Sequence, residues 1–346
     1  MKTFILSLDN LKVLQSKDDS RGYERKNYMY IGIDLGGTNI AVGIVDDKGN
    51  IKFEKSCPTK VGRKPQEIID DMIALVFNIL DEYHMDLKEI KSIGIGIPGL
   101  ADKNGNVIFC VNLGWKNVAL REMLEKVLHK PIYIDNDATV AALAEYESGS
   151  MKNSTSGLMI TLGTGIGGGI ILDGEVYSGF NGVGSEIGHI VVGENFYNCN
   201  CGRNGCLETF ASSTAIIKHT KKLIVDLNET TTILERAKGN INNIDARMIF
   251  DSAKEGDKIA NLAVDRLIKY LGTGILNIIN IIDPEIIVLG GGVSGSGQYL
   301  LDRITNEVIG NKYYEELPIA KIVLAKLGNK AGIIGAAMIA KHQTLK

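Results

Sequence analysis

Long hydrophobic runs are absent: no stretch approaches the roughly 20 apolar residues that a membrane-spanning helix requires. The short apolar run at the N-terminus stops at Asp9, before a secretory core is complete, so we expect residues 1–28 to be a polar extension of a cytoplasmic protein. The net charge is only −3, too little positive charge for non-specific binding to nucleic acid. These absences predict a globular protein with neither membrane nor nucleic-acid partners.

Cysteine is also scarce, since the 346 residues include only five. Three of them, Cys199, Cys201 and Cys206, lie within eight residues, and His189 precedes Cys199 by ten. One histidine and three cysteines at this spacing match a closed four-ligand zinc site better than a disulfide framework. With no open coordination position, the zinc would be structural and would stabilise a loop with little apolar content of its own. Chance clustering of thiols is the alternative.

No Walker A loop is present, because none of the glycine-rich segments is followed by Gly-Lys-Ser/Thr. Three glycine-rich turns each follow an apolar strand, and their glycines let backbone amides approach an anion. We predict nucleotide contacts at Asp34, Gly36, Gly37, Thr38 and Asn39, at Gly163, Thr164 and Gly165, and at Gly291 and Gly292. The carboxylate of Asp34 is suited to hold Mg²⁺. For any one turn alone, an ordinary tight hairpin is an equal alternative.

The first two glycine-rich turns lie in an internal repeat. A shift of 127 residues aligns residues 31–46 with residues 158–173, with five identities in sixteen positions. Strands and helices alternate through both halves, which indicates an α/β fold. The periodicity predicts an amphipathic helix over residues 65–84 and a long apolar helix over 259–282. The segment 331–341 is apolar on all sides, so we expect a buried helix there.

Asp135, Asn136 and Asp137 follow a predicted strand over residues 131–134 and precede an alanine-rich helix. One such residue would suffice to cap the helix, and capping alone is the alternative interpretation. Ligands of open α/β sheets gather at the carboxyl ends of strands, where a carboxylate can deprotonate a sugar hydroxyl for phosphoryl transfer. We therefore predict a catalytic carboxylate in this segment.

Together these motifs, in this order, with Glu186-Ile-Gly-His189 and the segment Cys-x-Cys-Gly-x-x-Gly-Cys-Leu-Glu ending at Glu208, resemble the ROK family of sugar kinases and repressors. Within the family the chain is most similar to the bacterial ATP-dependent glucokinases. The resemblance implies the actin-like ATPase (sugar kinase) fold, with two ribonuclease-H-like domains around a cleft. It implies a small domain over residues 29–137, onto which a C-terminal helix (331–346) packs back, and a large domain over residues 138–330 that carries the zinc loop. Residues 1–28 depart from the family pattern.

The resemblance also implies roles for individual residues. Asp137 would be the general base on the 6-hydroxyl of glucose, and Asn136 would bind a neighbouring hydroxyl. Further sugar contacts would come from Gly99, Asn112, Glu186, His189 and Glu208. His189 would use one ring nitrogen for zinc and the other for the sugar, a tautomer that the metal would fix. ATP, Mg²⁺ and Zn²⁺ would be bound, and a homodimer is expected.

Several alternatives remain at the level of sequence. A kinase for N-acetylmannosamine, N-acetylglucosamine, fructose or a β-glucoside differs from a glucokinase in loop shape, which a single sequence does not resolve. Polyphosphate could replace ATP as the donor. A sugar-responsive repressor is disfavoured, because residues 1–28 are too few for a helix-turn-helix domain and lack a basic recognition helix.

Overall fold

The computed structural model describes residues 28–345. Except for Tyr28, the predicted N-terminal extension lies outside these described residues. The strands are β1 (Met29–Leu35), β2 (Asn39–Asp46), β3 (Ile51–Pro58), β4 (Ile90–Ile97), β5 (Leu100–Ala101), β6 (Val107–Cys110), β7 (Trp115–Val118), β8 (Ile132–Asn136), β9 (Gly157–Leu162), β10 (Ile166–Leu172), β11 (Glu175–Val176), β12 (Ile286–Gly290) and β13 (Lys321–Leu324). The α-helices are α1 (Pro65–Glu82), α2 (Leu120–Leu128), α3 (Asp137–Ser148), α4 (Glu208–Ala211), α5 (Ser213–Leu227), α6 (Thr232–Arg236), α7 (Ala246–Lys254), α8 (Lys258–Ile282), α9 (Gln298–Gly310) and α10 (Ala331–Leu345).

Two five-stranded sheets have the same topology. Their strand orders are β3-β2-β1-β4-β8 and β11-β10-β9-β12-β13. In each sheet three strands form an antiparallel meander and two more add in parallel beside the first of them. The repeat seen in the sequence corresponds to the hairpins β1–β2 and β9–β10, which occupy equivalent positions in the two sheets. A separate three-stranded sheet, β5-β6-β7, was not predicted.

Helical periodicity predicted the buried face of α1. In α1 the buried residues are Ile68, Ile69, Met72, Leu75, Val76, Ile79 and Leu80, which are the apolar positions recurring at helical spacing. They pack with the inward side chains of the first sheet. The apolar helix predicted over residues 259–282 is α8, which contributes to the core of the second half.

The C-terminal helix α10 returns to the first sheet and packs against β1, β4 and α3. Its contacts are so close that glycine is needed on both sides. A Cβ at Gly94 would lie 1.8 Å from the carbonyl oxygen of Ala336, and one at Gly335 would lie 1.8 Å from that of Val140. The helix is buried on all sides over most of its length, as its uniformly apolar sequence predicts. The domain boundaries proposed from the sequence stay a prediction.

Among residues 28–345, no helix is long and apolar enough to cross a membrane.

Candidate active site

The predicted site residues gather at the carboxyl ends of parallel strands. In the first sheet β1, β4 and β8 run parallel, so Asp34, Gly99 and Asn136 lie at the same edge. In the second sheet β9 and β12 also run parallel, and they end beside the turns that contain Gly163 and Gly291. Ligands of open α/β sheets bind at such edges. The glycine-rich turns and the polar residues at the carboxyl end of β8 therefore border one candidate site.

Asn136, and not Asp137, is the N-cap of α3. Its Oδ1 accepts hydrogen bonds from the amides of Ala138 (2.9 Å) and Thr139 (3.4 Å), and its Nδ2 donates to the carbonyl of Gly99 (3.2 Å). The amide nitrogen carries two hydrogens, so one remains for a ligand. Because Asn136 caps the helix, the N-cap role does not require the carboxylate of Asp137.

Asp137 is the first residue of α3, and its side chain is exposed in the cleft. One carboxylate oxygen, Oδ1, accepts a hydrogen bond from the amide of Ala138 (2.8 Å), which fixes the orientation of the group. Although the side chain is exposed, many protein atoms lie around the carboxylate and desolvate it, which raises its pKa to about 6. The negative charges of Asp34 and Glu186 raise this pKa further. A carboxylate with a pKa near the working pH is suited to general-base catalysis.

Asp34 lies at the end of β1 and is half-buried. Burial raises its pKa to about 6. Its carboxylate lies against the first turn of α10, where a Cβ at Gly332 would come within 2.3 Å of Oδ2. A bound divalent cation would lower the pKa of Asp34 again and use the carboxylate as an oxygen ligand.

Glu208 connects the second glycine-rich turn to the cysteine loop. Its Oε2 accepts a hydrogen bond from the amide of Ile166 (3.1 Å), and Oε1 lies 3.7 Å from the sulfur of Cys199. A Cβ at Gly165 would lie 2.2 Å from Oε2, so a larger residue there would displace this carboxylate. We therefore expect a displacement of Glu208 to shift the turn as well.

The third glycine-rich segment, which begins at Gly290, contacts the backbone of the strand that leads into the second. Gly291 has φ +82°, and a Cβ there would lie 2.6 Å from the carbonyl oxygen of Leu162. A Cβ at Gly292 or Gly295 would meet nothing within 4 Å. The segment is a short 3₁₀ helix, Gly292–Ser296, that leads into α9.

The four residues predicted to bind zinc are brought together. One ring nitrogen of His189 and the sulfurs of Cys199, Cys201 and Cys206 all lie within 4.8 Å of one another. The sulfur of Cys199 is 3.7 Å from Nδ1 of His189, and those of Cys201 and Cys206 are 3.6 Å apart. Ligands at zinc distances around a tetrahedral centre lie about 3.7 Å apart, so the geometry fits this ion.

The electrostatics of the cysteines also suit a metal. Hydrogen bonding from the backbone of Arg203 lowers the pKa of Cys201 to about 6, which favours the thiolate. Burial raises the pKa of Cys199 to about 12, so this thiol needs a cation in order to ionise.

Comparison with known proteins identifies the family. The profile of the ROK family matches residues 30–343. The chain belongs to the ROK family. It is 35% identical over 316 residues to a glucokinase of Halalkalibacterium halodurans, covering 91% of this chain and 95% of that protein. It is also 31% identical to a xylose repressor of Caldicellulosiruptor bescii, covering 88% of this chain and 76% of that protein.

A solved structure agrees with the sequence relatives. The ROK family glucokinase from Streptomyces griseus, in complex with glucose and AMPPNP, superposes with a TM-score of 0.78 at 33% identity, covering 91% of this chain and 99% of that one. This ROK protein therefore has the predicted actin-like ATPase fold, with two ribonuclease-H-like domains around a cleft.

Other predicted residues of the ROK protein lie at the rim of the site. Asn112, in the short 3₁₀ helix before β7, packs against Gly37, where an added Cβ would lie 3.4 Å from the Cβ of Asn112. Glu186 is exposed and precedes a short 3₁₀ helix that ends at His189. Thr38 and Thr164 are exposed in their turns, and Asn39 is exposed at the start of β2.

One residue behind the site was missed at the level of sequence. Thr59 follows β3 and is fully buried, and its side chain donates a hydrogen bond to the carbonyl of Gly36 (2.7 Å). Nothing in its local sequence signals this contact, because 23 residues separate the partners.

Proposed function

We propose that this ROK protein transfers the γ-phosphoryl group of ATP to the 6-hydroxyl of glucose. It is a hexokinase-type phosphotransferase, to which the glucokinase relatives point. The observation that carries the proposal is the carboxylate of Asp137. It is exposed in a cleft between glycine-rich turns and polar side chains, is held by the amide of Ala138, and has its pKa raised to about 6.

In the proposed reaction Asp137 is the general base. Its Oδ1 is engaged by the backbone of α3, so Oδ2 is the oxygen that accepts the proton of the sugar hydroxyl. The oxygen so activated forms the bond to the γ-phosphorus, the bond from that phosphorus to the bridging oxygen breaks, and ADP leaves. Negative charge from Asp34 and Glu186 helps to raise the pKa of Asp137 and so strengthens the base.

The sugar is proposed to lie between residues of both halves. Asn136 would use its free amide hydrogen for a hydroxyl next to the reacting one, while its other hydrogen bonds hold it in place. The remaining hydroxyls would contact Gly99 and Asn112 on one side and Glu186, His189 and Glu208 on the other. The solved ROK glucokinase from Streptomyces griseus, which is in complex with glucose, supports this assignment of ligand class.

The nucleotide is proposed to lie along the glycine-rich turns. Residues 36–39 and 163–165 would bind the phosphates from opposite sides, and Gly291 and Gly292 would border the adenosine. Asp34 would hold Mg²⁺, which when bound neutralises charge on the phosphates. The AMPPNP complex of the Streptomyces griseus relative supports ATP as the donor.

Zinc is proposed as a structural ion in the loop of His189, Cys199, Cys201 and Cys206. It would bind Nδ1 of His189, so that Nε2 would face the sugar. The contact between Cys199 and Glu208 would couple the metal to a second sugar-binding residue. A homodimer remains a prediction.

A hexose panel tests the proposal. Coupled assays of ADP formation with glucose, N-acetylmannosamine, N-acetylglucosamine, fructose and a β-glucoside, each with ATP or polyphosphate, should show the highest kcat/KM for glucose with ATP. Higher kcat/KM for another hexose would replace glucose as the substrate. Sugar binding without phosphorylation of any hexose would favour a sensor like the xylose repressor relative.

A further inference from the structure

Thr59 holds the turn proposed to bind phosphate by two hydrogen bonds. Its side-chain hydroxyl donates to the carbonyl of Gly36 (2.7 Å), and its backbone amide donates to the carbonyl of Thr38 (2.8 Å). Thr59 is fully buried, whereas Thr38 is exposed. One residue thus anchors two carbonyls of the four-residue turn, and it lies on the side away from the solvent.

These two hydrogen bonds determine where the amides of the turn point. In a planar trans peptide the C=O and N–H groups point in opposite directions. The carbonyl of Gly36 shares its peptide with the amide of Gly37, and that of Thr38 shares its peptide with the amide of Asn39. Since both carbonyls are directed toward Thr59, the amides of Gly37 and Asn39 point away from it.

Thr59 is itself held in place by an ion pair. Its carbonyl accepts a hydrogen bond from Nη2 of Arg63 (2.8 Å), and the same nitrogen lies 2.5 Å from the carboxylate of Asp71 on α1. Nε of Arg63 also donates to the carbonyl of Lys60 (3.0 Å). The loop after β3 is therefore tied to α1, and through Thr59 to the turn after β1.

We propose that Thr59 is a positioning residue for the nucleotide: it presents the amides of Gly37 and Asn39 to the phosphates of ATP. The inference rests on the proposed function of the turn and adds a residue that does not touch the ligand. Preorganised amides bind an anion without the cost of being ordered at the moment of binding. Without the hydroxyl of Thr59, the peptide between Gly36 and Gly37 is free to turn its amide away.

Thr59→Val tests this most directly, because it keeps shape and the backbone amide and removes only the hydroxyl. We expect the KM for ATP, and the Kd of a non-hydrolysable ATP analogue measured by calorimetry, to rise about tenfold, the equivalent of one lost buried hydrogen bond. The Kd for glucose should change by less than about twofold. Thr59→Ser, which restores a hydroxyl, should recover most of the nucleotide affinity.

A matched control comes from Thr220 on α5. It is also fully buried, but its hydroxyl has no hydrogen-bond partner among the described residues. Thr220→Val should therefore leave both ligands unaffected. Arg63→Gln, a change at a partly exposed side chain, gives a second approach if Thr59→Val does not fold, and we expect about a threefold rise in the same Kd.

An unchanged Kd of the ATP analogue in Thr59→Val would overturn the inference. So would equal losses of glucose and nucleotide affinity, which would indicate a general defect in folding, or a failure of Thr59→Ser to recover binding. Where the wild-type chain binds the analogue but phosphorylates no hexose, the proposed function fails. The calorimetric comparison still decides the role of Thr59.

Discussion

The contact between α10 and α3 makes a strong prediction for Gly335→Ala. Gly335 lies in the middle of α10, and a Cβ there would be 1.8 Å from the carbonyl oxygen of Val140 and 2.6 Å from its carbonyl carbon. Alanine favours the helix by about 1 kcal/mol over glycine. The clash is with backbone, so no rotamer change relieves it, and the helices would have to separate by roughly 1.5 Å to reach an ordinary contact.

Steric overlap should dominate over helix propensity. Overpacking of a well-packed interior costs about 1–3 kcal/mol, and more where backbone must move, so we expect a net loss of at least about 2 kcal/mol in the free energy of unfolding. The separation would also reach catalysis, because α3 begins at Asp137. We expect kcat for glucose phosphorylation to fall together with the melting temperature, measured by scanning calorimetry and a coupled assay.

Gly310→Ala is the matched control for this experiment. Gly310 also lies in a helix, α9, but a Cβ there would meet nothing within 4 Å. This substitution should leave the melting temperature unchanged or raise it slightly. If Gly335→Ala were as stable as Gly310→Ala, the close packing of α10 on α3 would be wrong.

Two further predictions concern the metal and the base. The purified protein should contain about one Zn²⁺ per chain by mass spectrometry. Cys201→Ser should lose the ion and bind glucose more weakly, whereas Cys57→Ser should retain it. A Cys201→Ser protein that still contains one Zn²⁺ per chain would contradict the site. Because only the ionised form of Asp137 accepts a proton and desolvation raises its pKa to about 6, kcat/KM should fall as the pH is lowered through about 6. A flat profile between pH 5 and 7.5 would contradict that assignment.

Local patterns predicted those parts of the structure that depend on neighbouring residues in the chain. The buried face of α1 follows from helical spacing, and the complete burial of α10 follows from its lack of a polar face. The cluster of His189 with the three cysteines was found because its members lie within 18 residues. The edge at which Asp34 and Asn136 meet follows from the direction of parallel strands.

Contacts between distant segments could not be predicted in this way. The three-stranded sheet was missed because its strands are two to four residues long, too short for an alternating pattern. Asp135 and Asn136 belong to β8 and do not follow it, since strand pairing with β4 extends to Asn136. The hydrogen bonds from Asn136 to Gly99 and from Thr59 to Gly36 join residues 37 and 23 positions apart, and no spacing rule anticipates them.

The central claim is that the carboxylate of Asp137 takes a proton from the sugar, and Asp137→Asn tests it most directly. Asparagine keeps the size of the side chain and can still accept the hydrogen bond from Ala138, but it is not a base. General-base contributions are about 10²–10⁴-fold, so kcat should fall by at least about a hundredfold. Glucose affinity by calorimetry should change far less, since the other proposed sugar contacts remain. Asn136 already caps α3, so stability should be nearly unaltered. A variant that binds glucose normally and retains a near-normal kcat would contradict the account.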